Sequence, residues 1–151
     1  MKAVVQRVAA AEVSVAQQKV AAIGRGMLVL AGIAADDQEG EISQLAKKIA
    51  GLRIFEDGEG KMNLDLGQIQ GQVLAVPQFT LLGDVRRGRR PDFTRAAGPE
   101  SGRKGFELFC RELEACGVSV KTGVFQAHMQ VMLVNDGPVT ILLDSKEFKN
   151  E

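Results

Sequence analysis

The chain has 151 residues, a length that suits one domain and is short for two. Apolar residues make up 45% and charged residues 25%, which excludes wholesale disorder and collagen-like or coiled-coil architectures. The 19 Lys and Arg offset 19 Asp and Glu, so a broadly basic nucleic-acid coat is excluded while a local basic patch is not.

In chain order, residues 3–8 are β-rich. Residues 12–15 alternate with period two, and residues 19–23 follow Gln17-Gln18, so a hairpin is predicted. Residues 27–33 are apolar on both faces, as a central strand requires. Asp36 with Glu39 resembles a capping box, and Ile42, Leu45, Ala46, Ile49 and Leu52 fall on one helical face behind it. Residues 53–56 are predicted extended, with a Gly-rich turn at 57–60. Residues 71–82 read as a strand, broken or started at Pro77. Residues 83–105 carry Gly83, Gly88, Pro91, Gly98, Pro99, Gly102 and Gly105 and read as a loop long enough to suggest function. A second helix is predicted over 105–116, with Phe106, Phe109, Cys110, Leu113 and Cys116 on one face and Gly117 as its C′ residue. Strands at about 118–122, 128–135 and 139–144 finish the chain. The expected fold is α+β, a β-rich single domain over 1–151 with two main helices.

The residue inventory narrows the chemistry. With no Trp, no Tyr and seven Phe, rows of stacked bases are a poor basis for RNA binding. His128 is the only histidine, so a multi-histidine metal site within one chain is impossible, and Cys110, Cys116 and His128 lack the spacing of common zinc motifs. The two cysteines read as buried thiols in a reducing compartment. The N-terminal residues lack a signal-peptide apolar region, and the ten-residue weakly polar run at 26–35 is too short to span a membrane, so a cytoplasmic protein is expected.

Four constellations remain. A His-based hydrolase would need a partner for His128, yet Ser14, Ser43, Ser101, Ser119 and Ser145 lie outside any Gly-x-Ser-x-Gly elbow, and His128 also reads as a surface or edge residue. Arg86-Arg87-Gly88-Arg89-Arg90 heads a segment, 86–104, with seven positive and two negative side chains. Arginine forks suit phosphates, although a solvated loop with scattered ion pairs has the same composition. Pro77-Gln78-Phe79-Thr80-Leu81 could present backbone N–H groups and a hydroxyl to a pocket, or be an ordinary strand with a buried Phe. Asn135-Asp136-Gly137-Pro138-Val139-Thr140 reads as a tight hairpin, since Asp-Gly favours turns. Spacing alone gives no reaction.

Taken together, the segments 77–81 and 135–140 resemble the two signature motifs of the D-aminoacyl-tRNA deacylase family. The opening 3–8, Leu52-Arg53-Ile54-Phe55-Glu56, Lys61-Met62-Asn63-Leu64, Arg89-Arg90-Pro91 and Thr122-Gly123-Val124-Phe125 agree, in order, over about residues 1–145. The resemblance implies a barrel-like, cytoplasmic homodimer with active sites at the subunit interface. It implies hydrolysis of the ester between a D-amino acid, or mischarged glycine, and the tRNA 3′ ribose, with no metal or other cofactor and no membrane. Carried over, Gln78, Phe79 and Thr80 would line the reaction centre. Gly137 and Pro138, joined by a cis peptide, would enter the opposite subunit's site and read chirality with their carbonyl oxygens. Arg7 would fix that loop, and Phe125 and Met129 would hold the terminal adenosine. Arg86, Arg87, Arg89 and Arg90 would then be tRNA contacts.

The resemblance fits the inventory: an activated ester needs positioning and oxyanion stabilisation more than a histidine base. Pro77 stands where the first motif usually has Ser, and Leu82 where the next residue is usually aromatic. A sister branch acting on L-alanyl-tRNA also has Pro there, whereas Phe79 and Val139 match the D-specific pattern. The alternatives are a related proofreading deacylase of altered chirality, or a non-catalytic nucleic-acid binder using the arginine loop.

Overall fold

The computed structural model describes residues 1–148, in the order β1 (Lys2–Val15), β2 (Gln18–Ile23), β3 (Gly26–Gly32), α1 (Glu39–Ala50), β4 (Phe55–Glu56), β5 (Met62–Leu64), β6 (Gln72–Pro77), a 3₁₀ turn (Phe79–Leu82), α2 (Pro99–Ala115), β7 (Ser119–Thr122), β8 (Gln130–Asp144) and a second 3₁₀ turn (Ser145–Glu147). Six strands form a mixed sheet in the order β2-β1-β3-β6-β7, with β8 along the other edge of β1. The β3–β6 and β6–β7 pairs are parallel and the rest antiparallel. β2 also approaches β6 and β7, so the sheet curls nearly into a barrel. β4 and β5 make a separate small ribbon.

The apolar pattern of β3 has a direct cause. Met27, Val29 and Ala31 face a core shared with Ile42, Leu45 and Ile49 of α1 and Phe106, Phe109 and Leu113 of α2. Leu28 faces the other way, into a second cluster with Val8, Val13, Leu74 and Val76 inside the curl. Among the described residues, no helix is long and apolar enough to cross a membrane.

Several boundaries differ from expectation. The two opening strands are one: Ala9 and Ala10 interrupt the burial alternation, but β8 pairs continuously enough to carry β1 through them with a shift of register. The β1–β2 turn centres on Ala16 and Gln17, both at positive φ (49° and 64°), the handedness a two-residue hairpin requires. The N-cap of α1 is Gln38, not Asp36; the Gln38 N–H donates to the Glu41 carboxylate at 2.8 Å. Asp37 instead accepts from the Ala34 N–H at 2.7 Å and pairs with the Met1 ammonium.

α2 starts at Pro99 rather than at residue 105, because Pro is well placed in a first turn. Its internal glycines are there for contact: a Cβ at Gly105 would sit 2.9 Å from Ile33 Cγ2. Gly117, at φ +83°, ends the helix as expected. The predicted strands at 128–135 and 139–144 are a single strand, β8, and Asp136-Gly137 is not a hairpin turn.

Candidate active site

The site is built where the parallel strands end. β6 runs beside β3 to Pro77, and the Gln78 N–H donates to the Ala31 carbonyl at 2.8 Å, extending the ladder by one residue. There the chain leaves the sheet. The strand predicted through Leu82 gives way to the 3₁₀ turn, in which the Leu81 N–H donates to the Gln78 carbonyl at 3.2 Å and the Gly83 N–H to Thr80 at 3.0 Å. Gly32 permits this close crossing, since a Cβ there would lie 2.8 Å from the Gln78 carbonyl oxygen and 2.7 Å from Leu82 Cδ2. A helical turn leaves its first N–H groups without an internal acceptor, here those of Phe79 and Thr80. They are backbone donors at the end of a strand.

The second wall comes from the segment after β7. The Gly123 N–H donates to the Ala75 carbonyl at 2.9 Å, and the loop turns back through Gln126, at φ +63°. Gly123 lies so close to Met129 that a Cβ would meet its sulfur at 2.7 Å, with Pro77 Cδ at 3.7 Å. The third wall is the first turn of α2, with Gly98, Pro99 and Gly102, together with Phe93 and Ala97.

Between them is an open cavity of about 700 Å³. Phe79 is 57% exposed and stands edge-on to Phe93, ring centroids 5.1 Å apart and planes at 74°. Phe125, also in the lining, is half-buried, with the Arg103 guanidinium 4.8 Å from its centroid. Among the described residues, no group of three or more His, Cys, Asp or Glu side chains gathers as metal ligands would.

Four of the expected residues meet at this cavity: Gln78, Phe79, Phe125 and Met129. Thr80 is outside the lining, and its hydroxyl accepts a hydrogen bond from the Gln78 amide. Phe79 is therefore not the buried strand residue of the bland alternative. Sequence reasoning missed Phe93, whose signal was a lone aromatic inside a polar, Arg-rich loop. His128 precedes β8 instead of opening a strand, is exposed, and lines the cavity.

Gly137, Pro138 and Arg7 lie elsewhere in the chain. Between the pairs Gln6↔Thr140 and Val8↔Asn135, β1 advances by two residues and β8 by five. The surplus of three is extruded as a bulge carrying Asp136, Gly137 and Pro138, which is why no hairpin forms. The Asn135 side chain straps its base: Oδ1 accepts from the Val139 N–H at 2.8 Å, and Nδ2 donates to Thr140 Oγ1 at 3.1 Å. The Gly137–Pro138 peptide is cis, and Gly137 has φ +136°. Arg7, only 6% exposed, donates from Nε to the Asp136 carbonyl at 2.8 Å and from Nη1 to the Ile54 carbonyl at 2.7 Å. The Glu56 carboxylate is 3.9 Å from its Nη2. Beside this bulge, β8 turns Met132, Val134 and Leu142 to solvent, an apolar stripe on a strand that, among the described residues, pairs with β1 alone.

The arginine loop springs from the cavity's edge. Asp84 and Asp92 exchange backbone hydrogen bonds at 2.8 and 2.9 Å, closing it just before Phe93. Arg86 Nε reaches both Asp84 oxygens, at 2.9 and 3.0 Å, and that hydrogen bonding holds the Asp84 carboxyl down to about 2. Arg87, Arg89 and Arg90 are exposed, with no ion-pair partner among the described residues. The cysteines separate: burial, helped by Glu114 and Glu107, pushes the Cys110 thiol up to about 12, whereas Cys116 is exposed rather than buried as expected.

The family described as D-Tyr-tRNA(Tyr) deacylase matches residues 4–144. The D-aminoacyl-tRNA deacylase of Thermoanaerobacter pseudethanolicus is 58% identical over 147 residues, covering 97% of this chain and 99% of that one. That of Thermotoga petrophila is 56% identical with the same coverage. Among solved structures, c-Myc DNA Unwinding Element Binding Protein superposes with a TM-score of 0.89 at 42% identity, covering 95% of this chain and 98% of that one. A probable eukaryotic D-amino acid tRNA deacylase shares the fold, with a TM-score of 0.81 at 18% identity over 94% of this chain and 97% of that one.

Proposed function

Because the chain belongs to the D-Tyr-tRNA(Tyr) deacylase family, we propose that it hydrolyses the ester of D-aminoacyl-tRNA, and of mischarged glycyl-tRNA, as one cytoplasmic deacylase domain over 1–151. The observation that carries this reading is the single cavity lined by Gln78, Phe79, Phe125 and Met129. The terminal adenosine sits against Phe125 and Met129, and the ester carbonyl lies over the start of the 3₁₀ turn. The Phe79 and Thr80 N–H groups receive the oxyanion that forms when water attacks. The substrate's ribose 2′-OH positions that water. No side chain then has to act as nucleophile, and no metal or other cofactor is used.

Chirality is read by a second copy of the chain. The bulge at Gly137–Pro138 does not line its own cavity, and the apolar stripe of β8 beside it is the face through which two copies pair. Each copy lends its bulge to the other's site. The backbone there is a rigid obstacle to an L side chain, while a D side chain points to solvent. Arg87, Arg89 and Arg90 bind phosphates of the tRNA.

One observation favours a second reading. Pro77 lines the cavity in place of the usual Ser, which removes a hydroxyl and an N–H donor and fits a related deacylase of altered chirality. Release of D-tyrosine from D-Tyr-tRNA by the purified chain tests the activity, and analytical ultracentrifugation tests the pairing. A monomeric, fully active protein would refute the shared site.

A further inference from the structure

Phe125 is a half-buried aromatic of the cavity lining, and what holds its ring there is not obvious from its own loop. The loop carries a positive φ at Gln126 and sits between β7 and β8 with few backbone hydrogen bonds, one being the Ala127 N–H to the Val124 carbonyl at 3.3 Å. Two contacts come from α2. The ring edge rests on the helix backbone at Gly102, where a Cβ would lie 3.4 Å from Cζ. One residue on, the Arg103 guanidinium covers the ring face, 4.8 Å from the centroid. Phe125 and Gly102 line the cavity but Arg103 does not. The guanidinium therefore stacks on the ring without itself entering the cavity lining.

We propose that Arg103 is a positioning residue for the deacylation reaction, clamping the Phe125 ring so that it presents a fixed platform for the substrate's terminal base. This rests on the deacylase reading given above. A planar guanidinium stacks on an aromatic face and leaves its donors in solvent, so the clamp needs no partner carboxylate, and no ion pair to Arg103 occurs among the described residues. Gly102 complements it: its bare backbone leaves the ring edge room against the helix, and even a Cβ there would only touch Cζ, at 3.4 Å. Arg103 thus acts on affinity through Phe125 and touches neither the ester nor the oxyanion donors.

The test is a double-mutant cycle on the full chain, with Arg103→Ala, Phe125→Leu and the double variant. KM and kcat are measured on D-Tyr-tRNA and on the 3′-D-tyrosyl ester of adenosine, which has no phosphate. A cation–π contact at an exposed site predicts that Arg103→Ala raises KM by about two- to fivefold, with kcat within twofold. The same rise is expected for the phosphate-free ester, and less than 1.5-fold in the Phe125→Leu background. Arg103→Lys, which keeps a cation, should restore part of the loss. Additive effects of the two substitutions, or a KM effect confined to tRNA, would overturn the clamp and make Arg103 a phosphate contact or a bystander. If the parent chain released no D-tyrosine from either substrate, the deacylase reading itself would fail and the inference with it. An active parent with an additive cycle refutes the clamp alone.

Discussion

Arg7 donates from Nε to the carbonyl of Asp136 at 2.8 Å, so a buried cation on β1 holds the backbone immediately before Gly137. The same guanidinium donates to the Ile54 carbonyl at 2.7 Å, tying the bulge to the segment that leads into β4. Replacing it by Met would leave both carbonyls without their donor. Each loss costs about 1–3 kcal/mol where water cannot substitute. Arg7→Met should therefore lower the unfolding free energy measurably in a denaturant titration, and weaken rejection of L-aminoacyl-tRNA more than it slows turnover of the D substrate. An Arg7→Met protein of parental stability and selectivity would contradict the role given to Arg7.

Gly137 is constrained from two directions. Its φ of +136° disfavours any L side chain, and a Cβ would lie 2.8 Å from Arg7 Nη2 and 2.9 Å from Val139 Cγ2. Gly137→Ala should reduce kcat/KM for the D substrate by more than ~10-fold, since the bulge must move to admit the methyl group and ~10-fold corresponds to only about 1.4 kcal/mol of lost positioning. Steady-state kinetics on D-Tyr-tRNA give the answer, and a parental rate would show that the bulge backbone has no part in the site.

Thr80 is the hydroxyl nearest the proposed oxyanion donors, but it is outside the cavity lining and accepts from the Gln78 amide. Thr80→Ala should keep activity within about tenfold, because the backbone N–H survives the substitution. Loss of several orders of magnitude, or an acyl-Thr80 adduct in a mass spectrum, would mean covalent catalysis instead.

Much of this geometry was legible beforehand, and the failures have physical causes. The α1 stripe from Ile42 to Ile49, the two-sided burial of β3 and the Gly117 helix end follow from local pattern alone. Phe79 to Leu82 reads as strand because its residues suit one; the turn is permitted by Gly32 of a neighbouring strand, a contact no local window contains. Asp136-Gly137 has hairpin chemistry, yet β1 is long enough to pair with both flanks and the extra residues bulge out. Gly102 and Gly105 look like loop residues until Phe125 and Ile33 are packed against them. The roles of Gly137 and Pro138 came from a family resemblance, and within one chain neither lines the cavity that Gln78 lines.

The arginine loop divides into one internal and three external charges. Arg86 is committed to Asp84, whose carboxyl is held at about 2 by that hydrogen bonding. The Asp84 pKa is depressed, so the pair contributes fully above the ordinary value of 3.8 and is lost only as pH falls through about 2. Across neutral pH the loop geometry should not titrate. Replacing Arg87, Arg89 and Arg90 by Ala should reduce the slope of log K against log salt for tRNA binding by up to about 2–3 units. Arg86→Ala alone should change it by less than ~0.5, on the same scale. Equal slopes for the triple variant and the parent would make the loop a solvated surface feature.

The cysteines should differ in reactivity. Burial beside Glu114 and Glu107 pushes the Cys110 thiol up to about 12, so it carries almost no thiolate near pH 8. Cys116 is exposed. Iodoacetamide at pH 8 should label Cys116 alone in the native chain and both thiols in denaturant, as peptide mapping would show; rapid native labelling of Cys110 would contradict its burial.

D-selective ester hydrolysis is tested by kcat/KM for D-Tyr-tRNA and L-Tyr-tRNA under identical conditions with the purified chain. We expect turnover of the D substrate and a preference over L of at least ~10³, about 4 kcal/mol of transition-state discrimination. Equal rates, a preference for the L substrate, or tRNA binding without release of the amino acid would contradict it.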